Sequence, residues 1–228
     1  MKNKILSLFV GCLFLFTSCA VQAGRSLKKE FRKIVKVYVS DEDVFITASA
    51  IPITNDYFIT AGHFCEAITA KFIDGILEND LVKIDYLAFG DERKTIEDVS
   101  IIDFVHNESN DICLLQKKNH NLPKVSISRY YSYLEFGDTV YTVGFPLGFF
   151  PAIITEGYVS SSYTQEYPET LNDKLMISSS AVSGNSGCGA FNKDGELVGL
   201  IVMVNPQYHN LVFAIPTPKI LEYLDKFK

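Results

Sequence analysis

Ser183-Gly184-Asn185-Ser186-Gly187-Cys188-Gly189 sets one serine among glycines. Two other segments give it meaning. Thr60-Ala61-Gly62-His63 ends a strand-like run upstream, and Asn110-Asp111-Ile112-Cys113-Leu114-Leu115 lies between them. Histidine, aspartate and serine therefore follow in that order. A serine hydroxyl is a poor nucleophile until a base takes its proton, which a neutral imidazole can do near pH 7. A buried carboxylate then fixes the imidazole tautomer and stabilises the imidazolium. Glycines let the backbone turn its N–H groups toward a developing oxyanion, in conformations that suit a residue without Cβ. Asp111 opens an apolar run, where a carboxylate is costly to bury unless paired. Together the three segments point to acyl transfer.

Other readings of these residues fare worse. A Gly-Asn-Ser-Gly tetrad alone is often only a turn. The nucleophile elbow of α/β-hydrolases is G-x-S-x-G with the order Ser, Asp, His. Here the residue two after Ser186 is Cys188, and only His209 follows the serine. His106, His120 and His209 carry no motif and read as surface or loop positions. Asp103 and Asp173 read as solvated or capping acids.

Short apolar, β-branched and aromatic runs recur at residues 34–39, 45–53, 57–61, 81–87, 100–105, 112–115, 139–144, 152–161, 175–179, 197–204 and 211–215. Turn residues such as Thr54-Asn55-Asp56, Gly137-Asp138 and Asn192-Lys193-Asp194-Gly195 separate them. This rhythm predicts an all-β sandwich or barrel rather than βαβ units. The polar stretch 117–126 reads as the break between two halves. Ile220, Leu221, Tyr223 and Leu224 recur at helical spacing after Pro218, which predicts a closing helix over 218–228.

Five segments resemble those of the trypsin-like, chymotrypsin-fold serine peptidases, in the same order. Three are the segments around His63, Asp111 and Ser186. The fourth is Val143-Gly144-Phe145-Pro146-Leu147-Gly148 with Glu156-Gly157-Tyr158-Val159-Ser160, and the fifth is Phe213-Ala214-Ile215-Pro216. The resemblance is closest to the bacterial HtrA/Deg-like and glutamyl-endopeptidase-like branch. It implies two antiparallel six-stranded β-barrels, about 34–117 and about 126–217, followed by the helix, with the cleft between the barrels. It implies Ser186 as nucleophile, His63 as general base and acid, Asp111 as orienting carboxylate, and the N–H groups of Gly184 and Ser186 as oxyanion hole. The substrate pocket would have Ser180 at its base and Val202-Met203-Val204 as one wall, with Leu211 and Val212 near the other. With no acidic residue at Ser180, small and medium apolar residues should be preferred before the cut. A glutamyl preference would draw on His209. Asn185 stands where animal enzymes place the aspartate that pairs with a newly cut N-terminus, so no such activation is expected. Cys65 and Cys113, just after the histidine and aspartate in one barrel, are the expected disulfide pair. The family usually has glycine where Cys188 stands, and G-S-G-[FV] where Ala48-Ser49-Ala50-Ile51 stands. No PDZ domain is expected after the closing helix. A silent binding module on this fold and an esterase are the alternatives to a peptidase.

The N-terminus reads as an address. Lys2 and Lys4 precede an apolar stretch, 5–16, then small residues. This is a signal peptide over 1–23, too short to span a membrane. Phe16-Thr17-Ser18-Cys19 resembles a lipobox that would lipidate Cys19. Val21-Gln22-Ala23 is the competing cleavage site, releasing a chain from Gly24. The formal net charge is −6, and loss of Lys2 and Lys4 makes it more negative. Nucleic acid is therefore excluded as a main partner. The basic residues Arg25, Lys28, Lys29, Arg32, Lys33 and Lys36 cluster early, where they could meet anionic headgroups beside an anchor. No Cys/His spacing indicates a metal, and no cofactor is expected. The partner is a polypeptide substrate.

Overall fold

The computed structural model describes residues 31–41, 44–74, 82–88, 92–107, 109–128, 134–162, 173–180, 184–205, 208 and 210–228. The leader with Cys12 and Cys19, Arg25 to Lys29, Ser183 and His209 lie outside the described residues.

Two antiparallel β units follow in chain order. The first contains β1 (Val35–Ser40), β2 (Phe45–Pro52), β3 (Tyr57–Thr60), β4 (Lys83–Leu87), β5 (Arg93–Ile96), β6 (Ser100–His106) and β7 (Asp111–Gln116). They hydrogen-bond in the order β5-β4-β1-β2-β3-β7-β6. The second contains β8 (Thr139–Gly144), β9 (Ile153–Ser162), β10 (Leu175–Ser178), β11 (Gly189–Phe191), β12 (Leu197–Val204) and β13 (Leu211–Pro216). These close as a barrel, β10-β13-β12-β11-β8-β9. Helix α1 (Gly62–Ile73) lies between β3 and β4, and α2 (Thr217–Leu224) ends the chain before a short 3-10 turn. No helix among the described residues is long and apolar enough to cross a membrane.

The second half is the expected six-stranded barrel. The first departs from expectation. Among the described residues it is a seven-stranded sheet whose ends, β5 and β6, are not bonded to each other. The extra strand is β5, whose sequence Arg93-Lys94-Thr95-Ile96 is almost wholly exposed at the sheet edge. Helix α1 was not anticipated either.

Strand β7 shows how the halves share a core. All residues from Asp111 to Leu115 are buried. Side chains alternate across a strand, and here the two faces enter different clusters. Ile112 and Leu114 join Phe145, Phe191, Leu200 and Ile215 of the second half. Cys113 and Leu115 join Phe58, Phe64, Cys65 and Ile68. Asp111 has the parity of Cys113, so its carboxylate faces α1. The C-terminal helix also bridges the halves: Ile220 and Tyr223 are buried, and the Tyr223 hydroxyl donates to Asp103 of β6 at 2.9 Å. Burial, reinforced by that carboxylate, pushes the Tyr223 phenol above its ordinary range.

One buried charge in the first half is fully engaged. Asp85 is inaccessible to solvent and accepts bonds from Thr95 Oγ1 at 2.7 Å, from Tyr38 Oη at 3.4 Å, and from Arg93. Lys36 is its register partner on β1, and its ammonium lies 4.9 Å from the Tyr38 ring centre. Burial lowers the Lys36 pKa, with the Asp85 charge opposing.

Candidate active site

Helix α1 begins without a local cap. Its N-cap residue is Ala61, which makes no side-chain bond to the first turn. Helices leave their first N–H groups without intrahelical partners, and a carboxylate there is favoured by the helix dipole. Asp111 supplies it from β7: Oδ1 accepts the His63 backbone N–H at 2.7 Å. Gly62 makes the approach possible, because a Cβ there would lie 2.1 Å from the Val105 carbonyl oxygen. The capping carboxylate then has one oxygen left. Oδ2 lies 2.8 Å from His63 Nδ1, so the carboxylate that starts the helix also holds the imidazole.

On the other edge of the ring, His63 Nε2 lies 2.8 Å from Ser186 Oγ. The acid, the imidazole and the hydroxyl form one line, with Asp111 buried and His63 and Ser186 partly exposed. Two residues come from the first half and one from the second. Gly184 and Gly187 flank the serine at φ +92° and +80°, the left-handed region that favours glycine. A Cβ on Gly187 would also lie 2.0 Å from the Ser49 carbonyl oxygen. Gly187 N–H donates to Ile201 at 2.7 Å, and Cys188 N–H donates to Asn185 at 2.8 Å, which fixes the loop after the nucleophile.

Cys65 and Cys113 form a disulfide, joining α1 to β7 two residues beyond His63 and Asp111. Cys188 is a buried free thiol. Burial pushes its pKa up to about 12, against the weaker pull of Ser49 and the Phe145 backbone. Only 2% exposed and packed in the core of the second half, it serves as a packing group. Its Sγ occupies the place a Cβ on Gly144 would need, 1.7 Å away.

The remaining sequence candidates are spread out. Ser180 is exposed just after β10. Along β12, Val202 is buried in the core, Met203 leaves 41% of its surface open, and Val204 is partly buried. Leu211 is partly buried and Val212 fully buried at the start of β13.

Sequence reasoning missed two neighbours of the line. His106 is exposed as expected, but it is also the β-register partner of Asp111, and its ring centre lies 5.8 Å from that of His63. Its Nδ1 is 2.6 Å from Glu66 of α1. Only the β6–β7 register could have revealed it. Ser49 is the second, visible beforehand only as the serine in the altered G-S-G segment. His120, also taken as surface, is partly buried and packs in a tilted contact against buried Phe58, with ring centres 4.2 Å apart.

Two β units with a histidine and aspartate in the first and a serine in the second define a class of protein. Residues 45–200 match the family described as trypsin-like peptidase domain, and the chain belongs to that family. It is similar to Protease Do-like 2, chloroplastic, of Arabidopsis thaliana, with 31% identity over 144 residues, 61% of this chain and 23% of that protein. It is also similar to the protein named "Probable periplasmic serine endoprotease DegP-like" of Pseudomonas fulva, with 31% identity over 121 residues, 52% of this chain and 25% of that one. The chain thus spans about a quarter of the length of these curated relatives. In fold it is similar to the crystal structure of Deg5, at TM-score 0.71 and 19% identity, covering 90% of this chain and 95% of that one.

Proposed function

We propose that this chain is an exported serine endopeptidase of the HtrA/Deg type, working through an acyl-enzyme. The observation that carries the proposal is the unbroken line from Asp111 through His63 to Ser186, with both side-chain contacts at 2.8 Å. Ser186 Oγ attacks the scissile carbonyl carbon while its proton passes to His63 Nε2. Asp111 holds Nδ1–H, keeps Nε2 unprotonated beforehand and stabilises the imidazolium formed. The carbonyl oxygen becomes an oxyanion, met by the N–H groups of Gly184 and Ser186. The imidazolium returns its proton to the leaving amine as the C–N bond breaks. Water, deprotonated by the same Nε2, then releases the acyl group from Ser186.

The residue before the cut is expected to be small or medium and apolar. Met203 leaves 41% of its surface open on β12 and Ser180 is exposed just after β10; in the expected pocket neither residue carries a charge to receive a cation. A Lys or Arg side chain would enter unpaired, which is costly. Selectivity among Ala, Val and Leu should be shallow, since one methylene changes binding by only about 1–3 kcal/mol. We also read the first half as a barrel related to the second, and Cys19 as the lipid-anchored residue of the mature chain.

The test is labelling with a fluorophosphonate probe, followed by turnover of peptides that differ only before the cut. Label on Ser186 that is lost in Ser186→Ala, with best turnover after Ala, Val or Leu, is the expected result. An unlabelled folded protein would refute the peptidase assignment. Best turnover after Lys or Arg would refute the pocket, and best turnover after Glu would point to His209.

A further inference from the structure

We propose that Ser49 is a positioning residue that holds the nucleophile loop in register with the first half of the molecule; the inference rests on Ser186 being the nucleophile. Ser49 lies in β2, is inaccessible to solvent, and belongs to neither half of the Asp-His-Ser line. Nonetheless it reaches the nucleophile loop on both sides of Ser186. Its backbone N–H donates to the Ser186 carbonyl at 2.8 Å. Its hydroxyl donates to the Gly184 carbonyl at 3.2 Å. Its own carbonyl accepts the Thr60 hydroxyl at 2.7 Å, three residues before His63.

The hydroxyl has one proton and two lone pairs, and the structure uses all three. The proton goes to Gly184. One lone pair accepts the Phe145 N–H at 2.9 Å, and the other faces the Cys188 thiol at 3.3 Å. With the first bond given to Gly184, the thiol must be the donor in the last. Phe145 opens the turn against which Gly184 packs: a Cβ on Gly184 would lie 2.7 Å from both Leu147 N and the Phe145 carbonyl oxygen. The hydroxyl therefore fastens the Gly184 carbonyl and the turn behind it, while the backbone carbonyl of the same residue holds the strand that leads to His63. Gly184 carries one of the two oxyanion donors proposed above. An error in its orientation is felt where charge develops in the transition state and much less in the ground state.

This makes the effect separable from a purely structural one. Ser49→Ala removes the hydroxyl and adds no atom. It leaves the Phe145 N–H and the Gly184 carbonyl buried without that partner, while keeping the backbone bond to Ser186. The expected outcome is a fall in kcat of about 10–100-fold, or about 1.4–2.7 kcal/mol, with KM within about threefold. That is less than the roughly 10²–10³ lost when an oxyanion donor is removed outright. The second-order rate of Ser186 labelling by a fluorophosphonate should fall by a similar factor, since that reaction also builds charge on an oxygen facing Gly184. Ser49→Thr, which keeps the hydroxyl, should recover most of both rates. The measurements are steady-state kinetics on the best p-nitroanilide peptide, labelling rates, and a melting curve for each variant.

A folded Ser49→Ala protein with kcat and labelling rate within about twofold of the parent overturns the proposal. So does a loss that appears in KM alone. An Ala variant that fails to fold also overturns it, because the hydroxyl would then serve the fold and not the loop. The parent separates these outcomes from a failure of the peptidase reading. If parent Ser186 takes no label, the catalytic assignment falls and takes this inference with it; if it labels, the Ser49 variants decide alone.

Discussion

Asp111→Asn tests the acid–imidazole arrangement at one atom. The carboxylate accepts twice, from the His63 backbone N–H at 2.7 Å and from Nδ1–H at 2.8 Å. An asparagine has the same shape but offers one oxygen and one NH₂. If the oxygen stays on the backbone N–H, the NH₂ faces Nδ1, which must become an acceptor. The ring proton then moves to Nε2, where it points at Ser186 Oγ and the imidazole can take nothing. If the amide turns over instead, NH₂ meets the backbone N–H. Two buried donors facing each other cost about 1–3 kcal/mol, so the first orientation is favoured. The substitution should therefore keep the helix cap and the fold while supplying the wrong tautomer. A tautomer error of this kind in a Ser-His-Asp site lowers kcat about 10⁴-fold, which is about 5.4 kcal/mol at 1.36 kcal/mol per tenfold. The assay is kcat at pH 7 on the peptide with the best turnover, with a melting curve beside it. A folded Asp111→Asn protein that keeps a tenth or more of the parent kcat would refute the argument.

Two stability predictions accompany it. Cys65 and Cys113 close a loop with a sequence separation of 48. Replacing both by alanine should cost about 2–4 kcal/mol in urea unfolding, and an unchanged midpoint would show that the helix–strand contact does not need the bond. Burial lowers the His120 pKa, opposed by the Thr54 backbone and the Asp56 charge. A depressed histidine pKa contributes stability that is present above the unfolded value of about 6.5 and is lost as pH falls from there through the lower folded value. His120→Phe should therefore flatten the loss of stability between about pH 7 and 5, and parallel pH profiles would count against this role.

The sequence made much of the sheet structure legible, because each strand's apolar alternation is a local property. Residues 139–144 and 197–204 coincide with β8 and β12, and the ends of most others shift by one or two residues. What escaped depended on distant partners. Helix α1 has no capping residue of its own, since its cap is a carboxylate 48 positions away. Strand β5 is charged and exposed, and β11 has three residues, so neither leaves a hydrophobic trace. His63, Asp111 and Ser186 were legible because their chemistry is written in adjoining small and apolar residues. Ser49 and His106 were not, because register and the packing of one half on the other bring them to the site.

The disulfide has a mechanical consequence. His63 and Cys65 lie two residues apart on α1, and Asp111 and Cys113 lie two apart on β7. The helix is thus pinned to the strand at two points, once by a carboxylate and once by a covalent bond. A rod fixed at two points cannot roll about its own axis. The imidazole and its carboxylate therefore travel as one rigid piece. The compliance of the line is displaced to its other joint, the gap from Nε2 to the serine oxygen, which spans the seam between the halves. Sliding at that seam would open the line at the serine while leaving the acid–imidazole contact intact.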